Sequence, residues 1–158
     1  MALERSVKAA FLYKFLGYVE FPAGTFTDAA APLAIGVIGA DELAAELSRL
    51  VAGRNVQSRP VVVRTFRDNE TPAGVQLLFI GGDEDSARLR AIVKAGVPPR
   101  MLIVTESENA LQHGSIINFK IVEQRVRFDV SLEAAERNSI KLSSRLLTVA
   151  NHVHKGAP

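Results

Sequence analysis

Short, continuously apolar segments that alternate with helical patterns are the strongest constraint on the fold of this chain. The predicted strands are 33–39, 61–66, 76–80 and 101–105. A strand that is apolar at successive positions must be covered on both of its faces, which is typical of a parallel sheet between helices. The pattern therefore predicts an α/β fold.

The segments between these strands have apolar residues at helical spacing. Residues 7–19 predict a first helix that is heavily buried or covered by a partner. Asp41 is the predicted N-cap of a second helix, which Gly53 ends, and a third helix is expected from about Asp83. That third helix places Leu89, Ile92 and Val93 on one face.

The C-terminal third of the chain has a different pattern. Segments 115–122 and 124–130 alternate in polarity around Glu123 and predict an antiparallel hairpin. Ser131 is expected to cap a helix over 132–137, and Ser143–Ser144 to begin a last helix. The apolar residues assigned to that last helix are Leu142, Leu146, Leu147, Ala150 and Val153.

Together these elements predict a three-layer α/β fold. Its mixed sheet has a largely parallel core, helices on both faces and a C-terminal antiparallel hairpin. The length of 158 residues is typical of a single domain, 1–158.

Composition excludes several classes of protein. The 19 basic and 17 acidic residues give a net charge of +2, which supplies no concentrated basic surface for nucleic acid. The absence of cysteine excludes disulfides and thiolate sites. The apolar runs are too short to cross a bilayer, and Lys8 and Lys14 interrupt the N-terminal one, so it is not an intact signal peptide.

Three sequence features were candidates for chemistry, and the residues favour a structural role for each. Gly36 and Gly39 precede a helix but lack the third glycine of a dinucleotide fingerprint. Residues 81–85 (GGDED) suit helix capping better than a metal site. His113, His152 and His154 fall in a turn and at the C-terminal end, without a catalytic motif. We therefore expect no enzyme activity, no metal and no cofactor.

The predicted hairpin carries a charged stripe. Val126, Phe128 and Val130 alternate with Arg125, Arg127 and Asp129 along one strand, so the charged residues share one face. Phe119 and Phe128 are expected in the core. Because acidic residues are interleaved with Arg125, Arg127, Arg137, Lys141 and Arg145, the stripe suits protein recognition or a solvated face, not a phosphate backbone.

Three separated blocks of the chain resemble the YfiR/HmsC-like family of periplasmic proteins. The first is VKAAFLYKF (7–15) followed by VEFP (19–22), the second is LAIGVIG (33–39), and the third is RVRFDV (125–130) leading into IKLSSRLL (140–147). The resemblance runs over nearly the whole chain, in the order of the family.

The resemblance implies a non-enzymatic, exported repressor that binds the periplasmic sensor region of a membrane diguanylate cyclase, lowering cyclic-di-GMP and biofilm formation. It also implies a homodimer and an outer-membrane lipoprotein that sequesters the repressor. On this interpretation the partner-binding residues are Arg125, Arg127, Asp129, Lys141 and Arg145. A second hypothesis is a ligand-sensing module with a crevice near Gly39 or Gly81. A hydrolase or nucleotide enzyme is the weakest alternative.

Overall fold

A computed structural model describes residues 2–26, 28–68, 70–82, 86–94 and 100–156. Its helices are α1 (Ala2–Phe15), α2 (Asp41–Val51), α3 (Ala87–Lys94), α4 (Leu132–Arg137) and α5 (Ser144–Val149), with a 3-10 helix at Ala110–His113. Its strands are β1 (Val19–Glu20), β2 (Leu33–Ile38), β3 (Asn55–Val56), β4 (Arg59–Phe66), β5 (Leu77–Ile80), β6 (Leu102–Thr105), β7 (Ile117–Val122), β8 (Arg125–Ser131), β9 (Lys141–Leu142) and β10 (His152–His154).

The central sheet has the strand order β10-β8-β7-β6-β5-β2-β4-β3. Neighbouring strands from β4 through β7 run parallel, whereas β7 and β8 form the antiparallel hairpin. Strands β2, β5 and β6 are buried at every position, as their continuous apolar sequences require. The predicted α/β class, parallel core and hairpin are confirmed.

Apolar layers cover both faces of the sheet. On one face, α1 and α2 contribute Leu12, Phe15 and Leu47, which are almost completely buried. On the other face, Leu89 and Ile92 of α3 pack with residues of β2, β5 and β6. The first helix buries one face, through Lys8, Ala9, Leu12 and Phe15. It ends at Phe15, so the predicted helical pattern does not continue to Val19, which lies in β1.

Aromatic rings join α1 to the hairpin. The ring of Phe15 lies 5.0 Å from that of Phe128 and 5.9 Å from that of Phe119, measured between centroids. Phe11 contacts the same two rings at 5.5 and 6.0 Å. Each such pair of rings stabilises the fold by roughly 0.5–1.5 kcal/mol, in addition to the effect of removing their apolar surface from water. Phe119 and Phe128 therefore belong to the core, as predicted.

Helix termini confirm some predictions and correct others. Ser131 and Ser143 cap α4 and α5, since their hydroxyls accept hydrogen bonds from the N–H groups of Ala134 and Leu146. The prediction of Asp41 as an N-cap was wrong. Ala40 occupies that position, and Asp41 lies in the first turn, where its charge complements the helix dipole.

The last predicted helix is much shorter than expected. Leu142 lies in β9, which pairs with β1, and Val153 lies in β10, which pairs in parallel with β8. The backbone of Ala150 is extended, with φ −66° and ψ 148°, and the N–H of Asn151 donates to the carbonyl of Phe128 at 2.8 Å. Pairing with β8 thus replaces the helical continuation after Val149.

The third helix also differs from its prediction. Its expected start at Asp83 lies outside the described residues, and the helix that the structure describes begins at Ala87. Leu89 and Ile92 are buried, but Val93, which was predicted to share their face, is 49% exposed. None of the helices in the described ranges has the length and apolar character needed to span a membrane.

Candidate interaction surface

The hairpin of β7 and β8 presents one apolar and one polar face. Phe119 pairs with Phe128 on the apolar face, where α1 covers both. Because side chains alternate along a strand, the intervening residues point to the opposite side of the sheet. These residues are Val122 and five polar residues, and the polar ones, which we call the hairpin outer face, are Asn118, Lys120, Arg125, Arg127 and Asp129.

The hairpin outer face lies beyond the apolar layer of its own side of the sheet. That layer joins residues of β2, β4, β5, β6, α3 and the 3-10 helix, and includes no residue of β7 or β8 from the described ranges. A sheet face without apolar cover is normally solvated or bound by a partner. Within the charged stripe predicted from sequence, Arg125 is exposed, Arg127 is half-buried and the side chain of Asp129 is 14% exposed.

The charged side chains on this face differ in whether other residues of the protein already hold them. Asp129 accepts a hydrogen bond from Asn151 at 3.0 Å and lies 3.4 Å from the Lys120 ammonium. The guanidinium groups of Arg125 and Arg127 form no ion pair or hydrogen bond within the part of the chain that the structure describes. Two cationic groups are therefore available to a partner, next to a carboxylate that is held in position.

A cleft of about 910 Å³ borders this face. It runs between the segment after β6 and the hairpin, and its lining carries both signs of charge. The charged and titratable lining residues are Glu106, Glu108, Lys120, Asp129, Glu133, Arg137 and His154. Its volume lies within the roughly 300–1,000 Å³ of small-molecule sites.

Lys141 and Arg145 lie elsewhere. Lys141 is exposed on β9, with its ammonium 3.8 Å from the carboxylate of Glu20 on β1. Arg145 borders a groove of about 380 Å³ that is also lined by Phe11 and Phe128, on the α1 side of the hairpin. The structure brings together Arg125, Arg127 and Asp129, and separates them from the other two predicted partner-binding residues.

The crevice predicted near Gly39 and Gly81 contains a side chain of the protein itself. Strands β2 and β5 are neighbours, and both end there. The guanidinium of Arg88 donates to the carbonyl of Gly81 at 2.8 Å and pairs with Asp68 at 3.0 Å. A Cβ atom at Gly39 would lie 2.5 Å from that guanidinium, so this glycine allows a close approach. Asp83, Glu84 and Asp85 lie outside the described residues.

Sequence reasoning missed two members of the surface. It placed His152 and His154 at a solvated chain end, but both lie in β10, where His152 is opposite Asp129. In-register parallel strands direct paired side chains to the same face, so both imidazoles extend the hairpin outer face. The alternation His-Val-His was the only local signal of this strand, because its pairing with β8 spans more than 20 residues.

Comparison with known proteins gives one family and one informative fold. The YfiR/HmsC-like family matches residues 5–151. A solved structure titled as a conserved domain protein from Vibrio cholerae O1 biovar El Tor str. N16961 is 11% identical with a TM-score of 0.59. The match covers 94% of this chain and 60% of the Vibrio chain, and it supports the fold alone. No curated protein sequence matches significantly.

Proposed function

Because the chain belongs to the YfiR/HmsC-like family, we propose that it represses a membrane-bound diguanylate cyclase by binding the cyclase's periplasmic sensor region. The match over residues 5–151 carries the proposal, since it includes nearly every described element. The family indicates a periplasmic, regulatory protein of cyclase signalling. On our proposal, binding lowers cyclic-di-GMP and biofilm formation, the repressor acts as a homodimer, and an outer-membrane lipoprotein releases the cyclase by sequestering it.

Repression by binding requires a difference in affinity between two states of the cyclase. A binder shifts a conformational equilibrium only as far as it prefers one state. To change a cyclase from 99% active to 99% inactive, the inactive state must be bound about 10⁴-fold more tightly. Such a preference requires a defined contact surface, and the hairpin outer face offers one.

We propose that Arg125, Arg127 and Asp129 contact the sensor region directly. Two guanidinium groups without a partner among the described residues suit an acidic partner surface, since arginine binds carboxylates through two parallel hydrogen bonds. Asp129 is held by Asn151 and Lys120, so it meets the partner with little loss of side-chain entropy. Lys141 and Arg145 form a second proposed contact, on the α1 side.

Calorimetric titration against the purified sensor region of the cyclase encoded beside this gene tests the proposal. We expect saturable binding by the wild-type protein, and an affinity at least about tenfold lower for Arg127→Glu, because like charges facing each other across an interface cost up to several kcal/mol. Arg49→Glu, an equal change of charge at an exposed position of α2, is the matched control and should bind normally.

Three results separate the parts of this proposal. Absence of binding by the wild-type protein, with no co-elution on a sizing column, would refute the choice of partner. Equal affinities of Arg127→Glu and wild type would remove the hairpin outer face from the interface. If Arg127→Glu and Arg49→Glu weakened binding equally, the effect would come from the change in net charge and not from a contact at Arg127.

The cleft of about 910 Å³ favours a second candidate function, a ligand-sensing module. A small molecule bound there would contact Lys120 and Asp129, which also belong to the proposed partner surface. Ligands that bind only the folded state raise the melting temperature with increasing concentration. A thermal-shift screen that finds such a ligand, with loss of the shift in Arg137→Glu, would support sensing over constitutive repression.

A further inference from the structure

Strand β10 directs two histidine side chains to the same side of the sheet. His152 and His154 are both exposed, whereas Val153 between them is half-buried. Their ring centroids are 4.3 Å apart and the ring planes are inclined by 63°. The strand backbone holds this arrangement, since residues 152–154 pair in register with Asp129, Val130 and Ser131 of β8.

Two imidazoles at this separation match the geometry of a shared metal ion. Metal–nitrogen bonds to histidine are about 2.0–2.1 Å long, so two nitrogens on one tetrahedral ion are roughly 3.4 Å apart. The ring nitrogens are brought to this separation by side-chain rotation, for which both exposed histidines have room. We propose that His152 and His154 form a two-histidine chelate for a divalent late first-row transition metal ion.

Ligand chemistry indicates which ion binds most tightly. Imidazole suits copper, nickel and zinc, and affinity at a given site is highest for Cu²⁺ in this series. The chain contains no cysteine, so no thiolate competes for the ion. The described ranges contain no group of three metal-ligating side chains, and the remaining coordination positions are therefore taken by water.

The carboxylate of Asp129 assists without coordinating. Asp129 lies opposite His152 in the register, but Asn151 and Lys120 hold its two oxygens at 3.0 and 3.4 Å. Its negative charge offsets part of the charge of the ion from an outer position. This inference does not depend on the proposed function, because the metal is tested on the isolated protein.

Titration of the whole chain with CuCl₂ in a non-coordinating buffer tests the chelate. We expect one tightly bound equivalent, with an electron paramagnetic resonance spectrum that shows imidazole nitrogen coupling. Loss of a side chain that only hydrogen-bonds to a metal ligand lowers metal affinity roughly 10- to 100-fold. Loss of a ligand itself, in His152→Gln or His154→Gln, should therefore lower Cu²⁺ affinity at least about tenfold. His113→Gln, at the remaining histidine, is the matched control and should bind as the wild type does.

Each contrary result would overturn the inference. Unchanged affinity in the double variant His152→Gln/His154→Gln would place the ion elsewhere, for example at the N-terminal amine. Equal weakening by His113→Gln would indicate non-specific binding. Because both histidines are exposed, circular dichroism should show unaltered folding, and the spectrum of wild type bound to Cu²⁺ tests nitrogen ligation without any variant.

Discussion

Gly36 lies in the middle of β2, where its lack of a side chain allows three neighbours to approach. A Cβ atom there would lie 2.9 Å from Phe66, 3.1 Å from Val75 and 3.2 Å from Leu78. We expect Gly36→Ala to lower the free energy of unfolding by about 1–3 kcal/mol, the usual cost of overpacking a core. Urea denaturation followed by circular dichroism measures it.

Gly17 is the matched control for this substitution. A Cβ atom at Gly17 would be 3.6 Å from the carbonyl oxygen of Lys14, an ordinary contact. Gly17→Ala should therefore be neutral or stabilise by up to about 1 kcal/mol through the unfolded state. Equal effects of the two substitutions would show that the packing around Gly36 is not limiting.

The hairpin turn is an element whose sequence is poorly suited to its conformation. Glu123 and Gln124 have φ values of 50° and 68°, which asparagine and glycine adopt more readily in a two-residue turn. We expect the double substitution Glu123→Asn/Gln124→Gly to raise the free energy of unfolding by about 1 kcal/mol. Glu123→Pro, whose ring fixes φ near −65°, should instead destabilise. Urea midpoints decide between these signs, and a loss of stability in the first variant would contradict the prediction.

The elements differ in how far their sequences determine them. Residues 33–38 are apolar at nearly every position, and the local pattern was enough to predict a buried strand. Leu146 and Leu147 also followed the helical pattern correctly. Val153 fitted the same helical spacing, but its strand depends on hydrogen bonds from β8, and a local pattern does not contain that information. The same long-range pairing explains why His152 and His154 were missed.

At the scale of the whole molecule, the sequence patterns did not predict the order of the strands in the sheet. Arg125, Arg127 and Asp129 were predicted to share a face because alternation is local. Whether that face is covered depends on where α3 lies, and α3 packs across β2, β5 and β6. The distance between Arg127 and Arg145 likewise follows from the path of the chain through α4 and β9, which no periodicity reports.

An ion cluster joins distant parts of the fold. Lys8 of α1 donates to Glu4 at 2.8 Å and to Glu106, directly after β6, at 2.6 Å. Glu106 in turn accepts a hydrogen bond from the N–H of Gly82 at 2.8 Å. Burial is the largest single influence on Lys8 and favours its neutral form, but the hydrogen bonds to Glu106 and Glu4 outweigh it and raise the pKa of the ammonium.

These pKa shifts give the cluster a pH window. The hydrogen bond from Lys8 lowers the pKa of the Glu4 carboxyl from its ordinary 4.5, so its contribution is present above that value and lost as the pH falls. Because the pKa of Lys8 is raised, the stability that its ammonium contributes is fully present below its ordinary pKa of 10.5. That stability is lost only as the pH rises through the raised pKa. The cluster is therefore fully stabilising near neutral pH.

We expect Lys8→Met to lower the free energy of unfolding at pH 7 by about 1–3 kcal/mol, because it leaves the largely buried Glu106 without its cation. Between about pH 7 and about pH 3.5 the variant should also lose less stability than wild type, since its Glu4 no longer has a lowered pKa. The double variant Lys8→Met/Glu106→Gln should recover part of the loss, because it removes the unpaired charge as well. Urea denaturation at both pH values measures all three effects. Parallel pH dependences of wild type and Lys8→Met would show that the cluster contributes nothing to acid stability.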